Sequence, residues 1–444
     1  MQASHMGNGG GASSTVIDSV KLYFFAALIV VASESIGTIS FTLGPGKISL
    51  LPLLWALLIG AALGLCRKLM PEQVGVSVAT QWKASAVLQP ALMLFIAKLG
   101  LIVGASLPKL AQAGWALVFQ EFGHFFGTML LGLPVALLLG IKREAIGATF
   151  SVGREPSLAI ISERYGMDSP EGRGVLAEYI TGTVFGAVFI AILAGFVTSL
   201  GIFDPRALAM GAGVGSGSMM AAASGAIAAQ QTPEMAKDVA AFAAAANLIT
   251  TTIGTYFTLF LSLPATAWAY DKLEPILGRG RSIATADVSS GEVVEHAPGL
   301  TLPEMVLAWV VAGVLALVGN QIGYKHVPFM DALPGMALMI VVVAAGMGVY
   351  TVTGRKVPAV CWVSLVAMGL TYPGTPYAAD IKAMTDKVDF LALTTPMLAY
   401  AGLSIAKDVP AFRRLGWRIV VTSLCANAGT FIFATIIAQF FRHD

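Results

Sequence analysis

Apolar runs long enough to cross a bilayer fall near residues 20–42, 49–66, 87–107, 115–140, 174–200, 236–264, 304–324, 334–354, 358–373, 389–406 and 415–440. The yardstick is about 20 residues per helical crossing. Two further segments, 143–165 and 206–230, are interrupted by small and polar residues: GATFSVGREPS at Gly147–Ser157 and GAGVGSGSMMAAASG at Gly211–Gly225. Backbone inside lipid has to satisfy its own hydrogen bonds, so the pattern predicts an all-α polytopic membrane protein whose breaks are enclosed by protein or line a water-filled cavity. The divisions expected are a disordered tail over 1–17, a first membrane half over 18–265 with both breaks, a polar linker over 266–302 and a second half over 303–444.

Paired breaks are a mark of transporter binding sites, whereas glycine and alanine alone would serve close helix packing. Two features favour the site. Gly213, Gly215 and Gly217 recur at every second residue and so cannot share one helix face. Arg154 and Glu155 place charges at a depth where a packing surface would not keep them. The candidate substrate contacts are Gly153, Arg154, Glu155 and Ser157 at the upstream break, and Gly215, Ser216, Gly217 and Ser218 at the downstream one. A planar guanidinium beside freed N–H groups suits a carboxylate; the alternative is a structural bridge between Arg154 and Glu155 or another acid.

Hydrophobic residues make up 56% of the 444-residue chain and charged residues only 12%, with a mean hydropathy of +0.78. That excludes an ordinary soluble domain. A net charge of +2 without basic runs gives no reason to expect nucleic acid. Charge reports topology instead. Arg67, Lys68, Lys83, Lys142, Arg143, Arg355, Lys356, Lys407, Arg413 and Arg414 share the side of the N-terminus, against Lys47, Lys109, Lys325, Lys382 and Lys387 opposite. The positive-inside rule then places the N-terminus in the cytoplasm of a multi-pass inner-membrane protein. Cys66, Cys361 and Cys425 are widely spaced and read as inert packing residues.

An internal match relates 100–115 to 402–417 through Gly100/Gly402, Leu101/Leu403, Pro108/Pro410, Gly114/Gly416 and Trp115/Trp417. On the charge-derived topology these copies run in opposite directions, as inverted-repeat transporters require. A weaker match relates 143–200 to 206–264, including Ser169–Pro170–Glu171 against Thr232–Pro233–Glu234. If each break is a re-entrant hairpin these modules are inverted; if each crosses they are parallel. A shared axis favours hairpins.

Other polar residues at depth are candidates for ion coupling. Ser216, Ser218 and Ser224, with freed carbonyls, offer oxygen ligands for Na⁺, and Asn247 in the next span could close that site. Glu121 and His124 share a helix face and suit a proton relay, or a partner for Lys98, for which Glu34 is a second candidate. No phosphate loop, nucleophile–base pair, haem motif or resident cofactor signature is present in the sequence, so no enzyme is expected.

With GREPSLAIISERYG at 153–166 and GVGSGSMMAAASGAIA at 213–228 in view, the chain resembles a bacterial inner-membrane family known as domain-of-unknown-function 3100. More distantly it is similar to sodium/glutamate and sodium/citrate symporters. That likeness implies inverted repeats, an elevator mechanism, a homodimer and a small organic anion as substrate. The glycine–asparagine signatures of the citrate type are missing. The expectation is a Na⁺- or H⁺-coupled carboxylate transporter, with a cation/proton antiporter or holin-like channel as alternatives.

Overall fold

The computed structural model describes residues 10–71, 75–112, 114–167, 169–213, 215–278, 299–324, 326–355, 357–414 and 416–441. Its helices are α1 (Gly10–Ile36), α2 (Pro52–Leu65), α3 (Val78–Gln112), α4 (Ala116–Leu138), α5 (Glu144–Thr149), α6 (Arg154–Arg164), α7 (Pro170–Thr181) and α8 (Ala187–Ser199). There follow α9 (Pro205–Ala212), α10 (Gly217–Ala228), α11 (Pro233–Phe257), α12 (Leu263–Leu277), α13 (Leu302–Gly319), α14 (Phe329–Val352), α15 (Ala359–Thr371), α16 (Ala378–Thr385), α17 (Phe390–Arg414) and α18 (Trp417–Phe441). Among the described residues, eight helical stretches are long and apolar enough to cross a membrane.

Several expected boundaries are corrected. Helix α1 starts at Gly10, inside the stretch expected as a disordered tail, and residues 1–9 lie outside the described residues. The run 236–264 does not stop before the linker: a π-turn at Thr258–Ser262 joins α11 to α12, which continues to Leu277. Residues 279–298 of the expected linker lie outside the described residues. Helices α2 and α15 are shorter than the runs they occupy, with 14 and 13 residues. At 1.5 Å per residue each spans about 20 Å, short of a hydrocarbon core of about 30 Å.

A two-stranded antiparallel hairpin, β1 (Ile39–Leu43) and β2 (Gly46–Leu50), departs from a purely helical reading. Its turn is the two residues Gly44–Pro45, with Gly44 at φ +57°, a conformation that favours glycine. The repeated Ser-Pro-Glu and Thr-Pro-Glu phrases are helix starts. Ser169 Oγ accepts from the Gly172 N–H at 2.9 Å and Thr232 Oγ1 from Met235 N–H at 3.3 Å, with proline in the first turn of both helices.

The most extensive helix pair is α4 against α18. A methyl group at Gly127 would overlap the Gly429 carbonyl, and one at Gly429 would overlap the Gly127 carbonyl. The next-nearest neighbours are also reciprocal, Phe433 Cβ for Gly127 and Leu131 Cβ for Gly429. Gly127 and Gly429 stand the same number of residues beyond Gly100 and Gly402, the matched glycines of the sequence. Those two in turn each carry one of the short helices: Gly100 is pressed against Ser364 and Ala367 of α15, Gly402 against Leu57 of α2. Glycine at these places allows helix backbones to touch.

Candidate functional site

Each broken segment is a helical hairpin, and local contacts establish its course. Arg206 near the start of α9 pairs with Asp238 near the start of α11 at 2.7 Å, while Gly213 beyond its end packs on Ala243, Ala246 and Asn247. Helices α9 and α11 therefore run the same way, and α10 between them returns. It lies along the preceding span in that span's direction, with Met219 against Gly186 and Ala226 against Gly195. Upstream, Arg143 and Glu144 at the start of α5 pair with Glu171 at 2.7 Å and Arg173 at 3.0 Å in the first turn of α7. Helix α6 ends in the turn that leads into that same first turn, so segment 144–164 begins and ends at one place.

The helical stretch Pro170–Ser199 thus has one hairpin packed from each end. Their tips meet beside its middle, where Gly182–Gly186 forms a π-turn, a local widening frequent at functional sites. A methyl at Gly215 would lie 3.9 Å from Val152 Cγ2 and 4.0 Å from Met219 Sδ. Gly215 has φ +89°, which only glycine adopts without strain, and this residue turns the chain from α9 into α10.

At each tip one helix ends and another begins. Three carbonyls at the ends of the first arms, those of Gly213, Gly215 and Phe150, accept from side-chain donors. Asn247 Nδ2 donates to Gly213 O at 2.8 Å and Gly215 O at 3.3 Å, and Ser262 Oγ donates to Phe150 O and, at 3.1 Å, to Phe125 O. The N-termini of the second arms are less covered. Helix α10 has Ser216 as N-cap, its Oγ accepting from Met219 N–H at 3.4 Å and 3.2 Å from Ser218 Oγ. Helix α6 starts at Gly153 without a side-chain cap. The Gly153 N–H donates to Ser151 Oγ at 3.0 Å, and Ser157 Oγ, also flanking Gly153, is buried without a hydrogen-bond partner among the described residues. Two helix N-termini, with their partial positive charge, so converge where the breaks meet.

The other candidates divide. The side chains of Arg154 and Glu155 lie outside the described residues. Ser218 is buried at the tip, and Gly217 packs against Leu92 of α3. Ser224 is not turned to the tip: its hydroxyl donates to Met220 O at 2.7 Å in its own helix, the usual fate of a serine mid-helix. Glu121 is buried on α4, and its Oε1 accepts from Gln120 Nε2 and from Thr250 Oγ1. Thr250 lies one turn beyond Asn247 on α11, so the acid is linked to the downstream tip along one helix face. Glu121 Oε2, Gln120 Oε1 and His124 Nδ1 are buried without partners among the described residues.

Lys98 is not the partner of Glu121 or Glu34. Its Nζ donates to Thr385 O at 2.8 Å and pairs with Asp386 at 3.6 Å. It stands in a cleft of about 300 Å³ lined by α3, α11 and α16 residues that include Lys109, Lys237, Asp238 and Lys382. Lys237 and Lys382 also contact Asp386, at 3.2 and 2.8 Å. Burial pushes the Asp386 carboxyl up, but these three lysines outweigh it and hold it at about 2. Leu92, on the same helix as Lys98 and about 9 Å along its axis, touches the head of α10. Cys66 is exposed rather than packed, Cys361 is buried and Cys425 is intermediate.

Eight helical stretches among the described residues that are long and apolar enough to span, with two helical hairpins beside one of them, mark a multi-pass helical membrane protein. The chain belongs to the family described as Protein of unknown function (DUF3100), whose model matches residues 31–272, more than half of its length and both broken segments. No curated protein and no solved structure matches it.

Proposed function

We propose that the protein is a secondary active transporter of a small organic anion, a carboxylate, with its binding site between the two hairpin tips. The observation that carries this reading is the contact of Gly215 with Val152 where uncapped and lightly capped helix N-termini converge. Donor groups there face the meeting point while the carbonyls of Gly213, Gly215 and Phe150 are already engaged by Asn247 and Ser262, a balance that suits an anion better than Na⁺. Arg154, first residue of α6, supplies the fork for the carboxylate. The coupling ion is best assigned as a proton carried by Glu121, whose second oxygen is buried and unpartnered among the described residues, one helical turn before His124. The same carboxylate favours a cation/proton antiporter as the second reading.

The reciprocal Gly127–Gly429 crossing and the equivalent seating of α2 and α15 support inverted repeats about an axis through α4 and α18. Opposed hairpins on such repeats suit alternating access of the elevator kind, in a homodimer of the inner membrane with the N-terminus in the cytoplasm. The test is uptake by proteoliposomes over a panel of mono- and dicarboxylates, with Na⁺ and H⁺ gradients imposed separately. Saturable uptake of a carboxylate driven by the H⁺ gradient is expected. Flux that neither saturates nor responds to either gradient would mean a pore, and cation exchange without carboxylate movement would mean an antiporter.

A further inference from the structure

Glu34 takes no part in the site above, yet it is 3% exposed and neither of its carboxyl oxygens makes a hydrogen bond or ion pair among the described residues. Two hydroxyls lie beside it, those of Thr395 of α17 and Tyr324, neither in a well-formed hydrogen bond among the described residues but both within reach of the carboxyl. Tyr324 ends a π-turn, Asn320–Tyr324, that follows α13. The carboxyl is seated against the backbone of that region: a methyl at Gly319 would lie 3.1 Å from Glu34 Oε1, and one at Gly323 would overlap Oε2.

A buried carboxylate with no cation beside it is costly unless it takes up a proton or gains an ion. The close walls of Gly319 and Gly323 leave no room on that side for an ion with its own ligands. We infer that Glu34, with Tyr324 and Thr395, is a second proton-binding site, separate from the hairpin tips and loaded with its own proton. The two hydroxyls can each donate one hydrogen bond but bring no positive charge, so it is the proton that neutralises the buried carboxyl, and small side-chain rotations complete the bonds.

The groups that face it do not favour the anion. Asp389, before α17, and Tyr324 are the titratable neighbours. The lysines of α3 are committed elsewhere, Lys98 to Asp386 and Thr385, Lys83 to Glu304 and Ser19, and Lys109 to Asp238. Glu304 of α13 is engaged by Lys83 and the Thr301 cap, Tyr400 of α17 faces Tyr23, and α2 carries no titratable side chain. The π-turn also holds the start of α17, since Asn320 donates to Lys387 O at 3.0 Å and accepts from Asp389 N–H at 2.8 Å. Loss of the proton would set a bare charge against the turn that makes this link.

The inference does not rest on the transport reading, and its test needs no substrate. Infrared difference spectra of the purified protein in nanodiscs, titrated with pH, are compared for wild type, Glu34→Gln and Glu121→Gln, with melting temperature followed over the same range. A protonated-carboxyl band present in wild type and Glu121→Gln but missing in Glu34→Gln is expected, together with a fall in wild-type melting temperature as that band is lost on raising pH. Glu34→Gln mimics the protonated side chain and should fold and lack that fall. An unchanged band and pH profile in Glu34→Gln would overturn the assignment. So would Na⁺- or K⁺-dependent stabilisation that Glu34→Gln abolishes, since that would make the site one for a metal cation.

Discussion

Asn247→Ala removes the side chain that holds the downstream tip. The perturbation deletes two hydrogen bonds, to Gly213 O at 2.8 Å and Gly215 O at 3.3 Å, made by a residue 4% exposed. Hydrogen bonds of this kind contribute about 1 kcal/mol each in water-soluble proteins and about 0.6 kcal/mol on average inside membranes. The loss is therefore roughly 1–2 kcal/mol, about a 5- to 30-fold shift between the ordered and unfastened tip. Gly213 packs on Ala246 and on the backbone nitrogen of Asn247, contacts that the truncation leaves in place, so the two hydrogen bonds are the whole of the perturbation. The assay is carboxylate binding by calorimetry on purified protein, with thermal melting of the same samples. Binding should weaken about 5- to 30-fold with a small fall in melting temperature, and Asn247→Asp, which keeps the shape but not the donor, should do the same or worse. Wild-type affinity and melting in both variants would refute the view that Asn247 fastens the break.

Further outcomes follow from the same contacts. Gly147→Ala drives a methyl into the Glu171 carbonyl and should cost at least about 1–3 kcal/mol of stability, seen as lost folded yield in size-exclusion chromatography, whereas Gly369→Ala, with open space around it, should be neutral or stabilising. Glu121→Gln should leave substrate binding in place but remove the dependence of uptake on the H⁺ gradient; retained H⁺ coupling in proteoliposomes would exclude Glu121. The Asp386 carboxyl sits at about 2 against an ordinary value of 3.8, so its ionised form stabilises the fold fully above about pH 4, and that contribution is lost as pH falls toward 2. Asp386→Asn should lose melting temperature near neutral pH and show less acid sensitivity in that range.

The helical crossings and both interruptions are legible in the sequence because they follow from local composition, and Asn247 is legible as the first polar residue past Asp238 in the span after the downstream break. What escapes hydropathy is what depends on distant partners. The sequence places Lys98 at depth, but its acid, Asp386, comes from a connection far along the chain whose polarity reads as surface. The Glu121–Thr250 bond gave no signal, since threonine within a span is ordinary. The hairpin at 39–50 was hidden by averaging its apolar residues into neighbouring helices, although its Gly-Pro turn is a local mark. The course of the interrupted segments needed the Arg206–Asp238 and Arg143–Glu171 pairs, which fix where each hairpin starts relative to the helix that follows.

The central claim is that the meeting point of the two tips binds an anion, and Arg154 is the residue through which it is most directly tested. Calorimetric titration of a carboxylate panel against wild type, Arg154→Lys and Arg154→Ala, with melting temperatures taken alongside, separates ligand contact from a structural bridge. The account predicts saturable binding to wild type, a roughly 5- to 150-fold weakening in Arg154→Lys from loss of the planar fork, about 1–3 kcal/mol, and no measurable binding in an Arg154→Ala protein that melts near wild type. Wild-type affinity in an Arg154→Ala protein of lowered melting temperature would contradict it.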